Sequence, residues 1–404
     1  MRRGLAYAGR PLSLLPHPLR LGPGEAAAVA EAVSAVWEAA ERVTEAFLRS
    51  PALRRVFRYG PRQEEAILRD PGYRPAVPLG RMDLFLVRGR PRILEFNTDG
   101  AAGWHYAAAL EALWREATGG PPDPFPLPAR LLETLLRAFE ARGGRGTLPH
   151  RAALVDWAEV GTRREQEALA AFFSEKGLPT TVEDPRSLRF AGGRLVGSQG
   201  PIGLVYRRLV SEEAFGRPEE CGALLEAYRE GAVCLVGSFR SDPAWSKTFL
   251  AVLSDPGLHP LWGGPPPAAA ATAVPWTRIV EEGETLYEGR REDLRRLLLE
   301  NRPAFLLKPA RSLEGRGVVA GPRVAAGRWR RAVEEALRRP GAFVVQEFIR
   351  PEALPFPDGI PRVPQPGAFV LEGRLVAFWG RAGATEILGP GRKEWYLPVV
   401  CGEG

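Results

Sequence analysis

Helical spacing of apolar side chains dominates the first part of the chain. Residues 25–57 are rich in Ala and Glu and carry Val, Trp, Phe and Leu at helical spacing, which predicts one or two amphipathic helices. The run 104–117, WHYAAALEALWREA, predicts a helix that begins directly after a Gly-rich loop at 100–103. A further helix is predicted at 129–141, beyond the Pro-rich connector 121–128.

Two short runs between these helices have the composition of β-strands. Residues 82–87 and 92–97 flank the turn sequence RGRP, which predicts a β-hairpin. A three-residue loop at 88–90 would set the register through four pairs: Val87 with Pro91, Phe85 with Ile93, Asp83 with Glu95, and Arg81 with Asn97. The two carboxylates would then face each other, and like charges in such a position need a cation between them.

The middle of the chain alternates between strand and helix patterns. The predicted elements are a strand at 152–157, a helix at 162–176, a strand at 180–183, a hairpin around 192–193, a strand at 202–206, a helix at 218–230 and a strand at 232–236. Such alternation predicts a parallel, Rossmann-like sheet flanked by helices. No GxGxxG motif follows the first strand, so no dinucleotide is expected. Ligands of such sheets collect at the carboxyl ends of strands, which here means Tyr206-Arg207-Arg208 and Ser238.

A third unit follows the stretch GGPPPAAAATAVP at 263–275, which has the composition of a linker. The predicted elements are a helix at 291–300, a strand at 304–309, a loop at 310–317, a strand at 318–321, a helix at 324–339, a strand at 343–349, and closing strands at 368–371 and 375–381. The Pro-rich segment 351–366 is either a substrate lid or an ordinary long loop. The domains predicted from these patterns are 1–128, 129–262 and 263–404.

Length and composition describe an ordinary globular chain. It has 404 residues, of which 45% are hydrophobic and 25% charged, enough for two or three packed units. No apolar run has the length of a membrane span, and the first residues lack the pattern of a secretory signal, so we expect a cytoplasmic protein without a membrane partner. Three cysteines without metal spacing or even pairing suit a reducing compartment.

The net charge of +7 is carried almost entirely by arginine. Basic residues are scattered among acids rather than gathered in a block, so nucleic acid is not an expected partner. Lysine occurs only at Lys176, Lys247, Lys308 and Lys393. Lys176 suits a helix C-terminus. Because arginine and lysine are not interchangeable at phosphate sites, the other three lysines are candidates for point charges that the function needs.

The hairpin predicts a metal site. Asp83, Glu95 and Asn97 share one face, and carboxylate and amide oxygens of this kind suit Mg²⁺, which proteins usually hold through one or two carboxylates together with substrate phosphates. The alternative is an exposed sheet end at which Arg81 and Arg90 neutralise the acids. A short motif alone does not decide between them.

A second stretch, LKPARSLEGRGVVAG at 307–321, predicts phosphate binding. It combines a lysine that leaves a buried strand with a loop containing Ser312, Gly315, Arg316 and Gly317, and such glycines let backbone N–H groups approach an anion. It is not a Walker A loop, because the lysine precedes the glycines and no GK[ST] occurs. A plain hairpin with a glycine turn is the alternative.

Together these stretches resemble a known family. LLKPARSLEGRGVVAG followed by FVVQEFI is similar to the nucleotide-binding half of ATP-grasp enzymes, while GRMDLFLVRGRPRILEFNTDG is similar to their acidic metal-binding strands. The acidic strands come first here, an order that resembles the circularly permuted ATP-grasp group typified by the synthetase domain of glutathionylspermidine synthase. LVDWAEVGTRREQEAL, SFRSDPAWSKTFLAVL, PWTR and GRLVAFWGRAG extend the similarity over most of the chain.

The resemblance implies an α/β (α+β) ATP-grasp fold with permuted subdomains and an added Rossmann-like unit, with ATP and Mg²⁺ as cofactors. It also implies a role for each matching residue: Asp83, Glu95 and Asn97 as metal ligands, Arg81 and Arg381 near the transferred phosphate, Lys247 and Lys308 on the nucleotide phosphates, Gln346, Glu347 and Ile349 at the adenine, and Ser312 to Gly317, with Gly315 and Arg316, as a lid.

The function implied is that of an acid–amine ligase, which joins a small-molecule or peptide carboxylate to an amine through an acyl phosphate. Two departures leave the substrates open: the acidic strand continues as TDGAAG rather than a Thr-Pro-Thr type of turn, and no amidase domain is attached. Asp99, Glu314 and Glu386 are candidates for facing a cationic amine. The alternatives are a kinase-like phosphotransferase, and a non-catalytic basic binding protein that keeps the ATP-grasp shape.

Overall fold

The computed structural model describes residues 4–144, 149–313, 315–388 and 394–402. Its helices are α1 (Pro23–Arg49), α2 (Pro51–Phe57), α3 (Pro61–Leu68), α4 (Trp104–Ala117), α5 (Leu127–Phe139), α6 (Arg163–Glu175), α7 (Ser211–Gly216), α8 (Gly222–Arg229), α9 (Asp242–Trp245), α10 (Thr248–Ser254), α11 (Ala268–Ala273), α12 (Leu294–Glu300) and α13 (Ala326–Leu337). Along the described ranges, no helix is both long and apolar enough to cross a membrane.

The strands belong to three larger sheets and several small ones. They are β1 (Ala6–Tyr7), β2 (Arg10–Pro11), β3 (Leu19–Leu21), β4 (Leu79–Val87), β5 (Arg90–Asn97), β6 (Ala152–Val155), β7 (Thr180–Glu183), β8 (Arg189–Ala191), β9 (Arg194–Gly197), β10 (Gly200–Ile202), β11 (Leu204–Arg207), β12 (Cys234–Val236), β13 (Thr277–Ile279), β14 (Glu284–Tyr287), β15 (Arg290–Asp293), β16 (Phe305–Pro309), β17 (Val319–Ala320), β18 (Phe343–Glu347), β19 (Val363–Leu371), β20 (Arg374–Gly383), β21 (Glu394–Leu397) and β22 (Val399–Cys401).

The first large sheet, which we call the mixed-origin sheet, is antiparallel with strand order β21-β20-β19-β4-β5. It places the predicted hairpin, β4 and β5, against strands from the far end of the chain. Because β4 lies between β5 and β19, its backbone N–H and C=O groups have hydrogen-bond partners on both sides. Residues of β4 therefore lie beside residues about 280 positions later in the sequence, as Asp83 lies beside Gly367.

The hairpin has a shorter turn than predicted. Its two central residues, Arg88 and Gly89, have φ values of 51° and 72°, which suits the tight primed turns of β-hairpins. The predicted pairs Val87–Pro91 and Phe85–Ile93 are therefore wrong, because Val87 pairs with Arg90 and Phe85 with Arg92. A bulge after Asp83 inserts one residue on β5 and restores the predicted pairs Asp83–Glu95 and Arg81–Asn97.

The second large sheet is parallel, with strand order β12-β11-β6-β7. It confirms the Rossmann-like pattern predicted for the middle of the chain. Its strands are fully buried at β6, β11 and β12, as expected for strands covered by helices on both faces. The carboxyl ends of β6 and β11 are neighbours, so the residues that follow them, Asp156 and Arg208, leave the sheet side by side.

The third large sheet is antiparallel, with strand order β13-β18-β16-β17, and it carries the lysine strand and the glycine loop. Two predictions near it are wrong. The segment 263–275 is not a linker, because it contains α11, whose Ala270 and Ala273 are buried beside α1. Residues 290–293 form strand β15 rather than the start of a helix, because they pair with β14.

Helix α1 supports two of these sheets. It begins with Pro at its first turn, and the Glu25 carboxylate accepts a hydrogen bond of 3.0 Å from the backbone N–H of Gly22. Val33, Val36 and Val43 are fully buried in a core that α1 shares with the mixed-origin sheet and the parallel sheet. Burying one such side chain contributes about 1.5–3 kcal/mol. A separate core lies between the third sheet and helices α12 and α13.

Candidate active site

A cavity of about 610 Å³ lies where the three large sheets meet. Its walls come from the mixed-origin sheet, from the third sheet with its glycine loop, and from the carboxyl edge of the parallel sheet. Most of the predicted site residues line it: Arg81, Asp83, Glu95, Asn97, Lys247, Lys308, Gly315, Arg316, Glu347, Ile349 and Arg381. Three other predicted site residues, Ser312, Gly317 and Gln346, are not part of this lining.

Asp83 is bound by two arginines. Its Oδ1 accepts a hydrogen bond of 2.6 Å from Arg81 Nε, and its Oδ2 accepts one of 2.7 Å from a terminal nitrogen of Arg381. Burial raises the pKa of Asp83, but the two guanidinium groups outweigh burial and hold that pKa well below its usual range. Both arginines also lie over the ring of Trp379, at 4.6 and 5.0 Å from its centroid. Gln365 accepts a further hydrogen bond of 2.8 Å from Arg381.

The structure brings the three predicted metal ligands together but gives them different partners. Glu95 is partly exposed, and one of its oxygens lies 3.5 Å from Lys247 Nζ. The amide nitrogen of Asn97 is buried without a hydrogen-bond partner. Both oxygens of Asp83 already accept hydrogen bonds from arginine. Within the described ranges, no group of three acidic, histidine or cysteine side chains is arranged to hold a metal ion.

The two lysines line the same cavity, and both reach strand β5 of the hairpin. Lys308 is buried, and its Nζ donates to Gln346 Oε1 at 2.8 Å and to the Leu94 carbonyl at 3.2 Å. Burial lowers the pKa of Lys308 to about 8, although the nearby charge of Glu95 acts in the other direction. Lys247 Nζ donates to the Ser312 carbonyl at 2.7 Å, which ties it to the glycine loop. Both lysines thus present positive charge to one space.

Strand β18 and the glycine loop support these lysines. Gln346 is buried, and its Nε2 donates to Thr277 Oγ1 at 3.1 Å, so it holds Lys308 from behind. Glu347 forms an ion pair of 2.8 Å with Arg92, which joins the third sheet to the hairpin. In the loop, Gly317 has φ +73°, and a Cβ there would lie 2.8 Å from a carbon of Pro309. Glu314, a predicted acid of this loop, lies outside the described residues.

The carboxyl edge of the parallel sheet adds residues that the sequence did not single out. Asp156 is 5% exposed, and burial raises its pKa to about 6. Its Oδ2 accepts a hydrogen bond of 2.6 Å from Gln166, and it lines the cavity with Glu213 and Arg217. Asp156 lies beside the end of the predicted strand 152–157. Because ligands collect at such ends, this position was a signal in the sequence that could have identified it.

Of the residues that the sequence did mark at this edge, only some reach the cavity. Arg208 lines it and forms an ion pair with Glu165 at 3.5 Å. Arg207 is fully buried and ion-paired with Asp99 and Asp242, the second at 3.4 Å. Burial and the charge of Asp99 raise the pKa of Asp242 to about 8. These buried groups hold the sheet edge in place behind the cavity wall.

Neither a protein-family model nor a curated protein matches the sequence. A glutathione synthetase-like effector from Globodera pallida, in its apo form, matches the structure with a TM-score of 0.61 at 12% identity, covering 98% of this chain and 93% of that one.

Two further solved structures match more weakly. A putative gamma-glutamylcysteine synthetase from Methylobacillus flagellatus KT matches with a TM-score of 0.43 at 12% identity, covering 89% of this chain and 87% of that one. D-alanyl-alanine synthetase A from Vibrio cholerae O1 biovar eltor str. N16961 matches with a TM-score of 0.26 at 12% identity, covering 59% and 68%. TM-scores below 0.5 do not establish a shared fold, whereas the TM-score of the first match does. The chain therefore has a mixed α/β fold, as predicted, and shares it with the glutathione synthetase-like effector.

Proposed function

We propose that this protein is an ATP- and Mg²⁺-dependent carboxylate–amine ligase that forms an amide bond through an acyl phosphate. The observation that carries the proposal is the meeting of two lysines, two arginines and the hairpin acids in one cavity between two antiparallel sheets. Lys247 and Lys308 come from different parts of the chain, and a triphosphate is a ligand that needs several cations at once. The structurally similar protein from Globodera pallida is described as a glutathione synthetase-like effector, which agrees with this class of reaction.

The order of the elements along the chain supports a relationship with one particular group of ATP-grasp enzymes. The acidic hairpin at 79–97 precedes the lysine strand at 305–309, which suits the circularly permuted ATP-grasp group that includes glutathionylspermidine synthase. We propose the same three units as the sequence predicts, with 1–128 supplying the hairpin, 129–262 the parallel sheet and 263–404 the nucleotide-binding half. Strands β19 to β21 of that last half complete the sheet of the hairpin.

The hairpin suits a metal that binds together with nucleotide. Glu95 and Asn97 offer a carboxylate and an amide to the cavity, and the buried amide of Asn97 lacks a partner of its own. Mg²⁺ usually takes one or two carboxylates and completes its shell with phosphate oxygens and water. Asp83, which both arginines bind, would orient Arg81 and Arg381 unless one of them releases it. When bound, Mg²⁺ would neutralise phosphate charge.

The protein residues have distinct roles in the proposed reaction. Lys308 and Lys247 bind the nucleotide phosphates, and Gln346 orients Lys308. Arg81 and Arg381, held by Asp83, lie where negative charge grows as the γ-phosphoryl group passes from ATP to the substrate carboxylate. That transfer breaks the bond between the γ-phosphorus and the bridging oxygen and releases ADP. Catalysis of this kind depends on position and charge rather than on a covalent nucleophile.

Hydroxylamine provides the test. It intercepts an acyl phosphate as a hydroxamate, so ADP release and hydroxamate formation are measured with glutathione, γ-glutamylcysteine and D-alanine as candidate acids. We expect one acid to give both products, and we expect Glu95→Gln to lower both by about 100-fold or more, as the loss of one charge-stabilising group commonly does. Glu175→Gln, at an exposed carboxylate of α6, is the matched control. Full activity in Glu95→Gln, or a phosphorylated final product instead of hydroxamate, would refute the proposal.

A further inference from the structure

The cavity has a second end, at the carboxyl edge of the parallel sheet. We call its five residues the edge subsite: Asp156, Trp157, Arg208, Glu213 and Arg217, all of which line the cavity. Trp157 joins two of them, since its indole N–H donates to Glu213 at 2.7 Å and the Arg217 guanidinium lies 3.9 Å from its ring centroid. The edge subsite therefore holds two acids and two arginines, of which Glu213 and Arg217 contact the indole of Trp157.

The acids of the edge subsite differ from the other acids of the cavity. Six cavity acids are ion-paired with an arginine or lysine: Asp83, Glu95, Asp99, Glu159, Glu347 and Glu386. Glu394 lies close enough to Arg381 to raise the pKa of that arginine. Within the part of the chain that the structure describes, Asp156 and Glu213 form no ion pair. Asp156 is buried, and the nearby charge of Arg208 only partly offsets the effect of burial on its pKa, which stays raised. Glu213 is partly exposed and accepts a hydrogen bond from the Trp157 indole N–H.

The arginines of the edge subsite have donors to spare. Arg217 forms no ion pair with any described residue, although it follows Glu213 by four positions at the end of α7. Arg208 is 3% exposed, and its Nε is buried without a hydrogen-bond partner. An unpaired guanidinium and a buried free N–H are suited to a carboxylate. This end of the cavity thus offers carboxylates to a cationic group of a ligand and arginine N–H groups to an anionic one.

We propose that the edge subsite binds the amine co-substrate as a zwitterion, that is, as an amino acid or a short peptide. Its ammonium group would face Asp156 and Glu213, and its carboxylate would face Arg208 and Arg217. This inference rests on the proposed ligase function. A polyamine satisfies only the acids and would bring its own positive charges next to Arg217, which disfavours it.

Formation of the amide bond then requires two proton transfers. The ammonium gives one proton to Asp156, and the neutral amine attacks the carbonyl carbon of the acyl phosphate. A C–N bond forms, the C–O bond to phosphate breaks, and its electron pair leaves with the phosphate. The nitrogen then loses a second proton, which the departing phosphate takes up as hydrogen phosphate. Asp156 returns its proton to solvent before the next cycle.

Calorimetry on the full chain tests the inference without requiring turnover. The twenty amino acids, their α-carboxamides and spermidine are titrated in turn into the protein. We expect at least one amino acid to bind about 10-fold or more tightly than its carboxamide, because the amide lacks the charge that the arginines bind. Arg217→Gln should remove that preference, with Arg217→Lys as a second variant that retains the charge. Arg291→Gln, which alters an exposed arginine of β15 outside the cavity lining, should keep it.

The outcomes separate this inference from the proposed function. Three outcomes would refute the proposal that the edge subsite binds a zwitterion: equal affinity for an amino acid and its carboxamide, tighter binding of spermidine, or an unchanged preference in Arg217→Gln. Hydroxylamine bypasses the amine, so hydroxamate formed equally by the natural protein and by Arg217→Gln leaves the ligase proposal intact in those cases. Amino-acid binding without any hydroxamate, in contrast, refutes the ligase proposal and keeps the subsite.

Discussion

Lys308 carries its charge in a buried position, which makes its protonation depend on what binds there. Its pKa of about 8 lies below the usual 10.5 because burial disfavours the ammonium form. Between these two values the unfolded chain binds a proton that the folded protein does not, so stability rises with pH across that window. The affinity for phosphate has the opposite trend, because the neutral amine no longer attracts an anion.

We therefore expect a non-hydrolysable ATP analogue to bind more weakly as the pH rises from about 7 to about 9. Lys308→Met should bind it about 10- to 100-fold more weakly at pH 7 and should show a flatter pH dependence, since charge-assisted hydrogen bonds contribute about 1.5–3 kcal/mol. Calorimetry across this range measures both effects. Lys176→Met, at the exposed end of α6, should behave like the natural protein. A pH profile that Lys308→Met leaves unchanged would contradict the role of this lysine.

At the residue scale, the sequence predicted the facing of Asp83 and Glu95 and, in one of its two alternatives, the pairing of an acid with Arg81, but not the bond between Asp83 and Arg381. Alternation along two adjacent strands is local, and it placed both carboxylates on one face. Arg381 comes from a strand 298 positions away, and no local pattern indicates that it binds Asp83. Scarcity of lysine was a better guide, because Lys247 and Lys308 both line the cavity. Lys393, the remaining candidate, lies outside the described residues.

At the scale of elements, strand β19 matters because one of its residues has no side chain. Gly367 pairs with Asp83 of β4, and a Cβ at this position would lie 2.8 Å from Arg81 Cδ and 3.0 Å from Asp83 Oδ1. Contacts below about 3 Å force one of the partners to move. The absence of a side chain here thus gives Arg81 and Asp83 the space for their ion pair.

Gly367→Ala should consequently displace this ion pair while leaving the sheet folded. We expect ligase activity to fall by about 100-fold, the typical effect of a displacement of about 1 Å at a reacting centre. Hydroxamate formation measures the activity, and circular dichroism checks the fold. Gly24→Ala in α1, where a Cβ meets nothing within 4 Å, is the matched control. An unaffected Gly367→Ala protein would show that the ion pair does not need this space.

Helix α11 provides a second test at this scale. Ala270 is fully buried beside α1, whereas the next residue, Ala271, is exposed. Ala270→Asp should lower the free energy of unfolding by about 3 kcal/mol or more, because a buried charge without a partner is costly. Ala271→Asp should change it by less than about 0.5 kcal/mol. Urea denaturation measures both, and equal effects would mean that α11 does not pack as described.

Elements were predictable where the local pattern and the packing agree. Helix α4 begins and ends where the sequence predicts, since Gly103 with φ +105° starts it and its apolar face is continuous. Helix α11 was missed because a run of Ala between prolines has the composition of a linker, and only burial against α1 makes it a helix. Strand β15, with sequence RRED, was missed because its pairing with β14 overrides a helical pattern.

At the scale of the whole molecule, the metal and the nucleotide should bind as a pair. In the proposed site, Glu95 and Asn97 would be the only protein side chains free to bind the metal, because Asp83 is bound by arginines. We expect Mg²⁺ alone to bind weakly and to bind about 10- to 100-fold more tightly when an ATP analogue is present, because phosphate oxygens complete its coordination shell. Calorimetric titration of Mg²⁺ with and without the analogue measures this, after subtraction of Mg²⁺ binding to free analogue.

Glu95→Gln is the informative variant for that experiment. It should reduce the difference between the two titrations, whereas Glu175→Gln should preserve it. Tight Mg²⁺ binding without nucleotide would indicate instead a preformed metal site, which would require Arg81 or Arg381 to release Asp83.

The overall architecture was predictable because motif order is a property of the whole chain. The alternating pattern at 129–262 gave the parallel sheet, and the lysine strand followed by a glycine loop gave the third sheet. What single segments did not reveal is that the hairpin shares a sheet with strands near 363–397. Pairings over such distances depend on tertiary packing rather than on local propensity.

The mixed-origin sheet also has a consequence for biosynthesis. A ribosome releases β4 and β5 long before β19, which pairs with β4, has been translated. During that interval β4 presents an unpaired, largely apolar edge, and such edges promote aggregation. Pairings between distant segments also form slowly. Nascent chains that stop before residue 363 should therefore need chaperone protection, and the cavity should form only as a late event of folding.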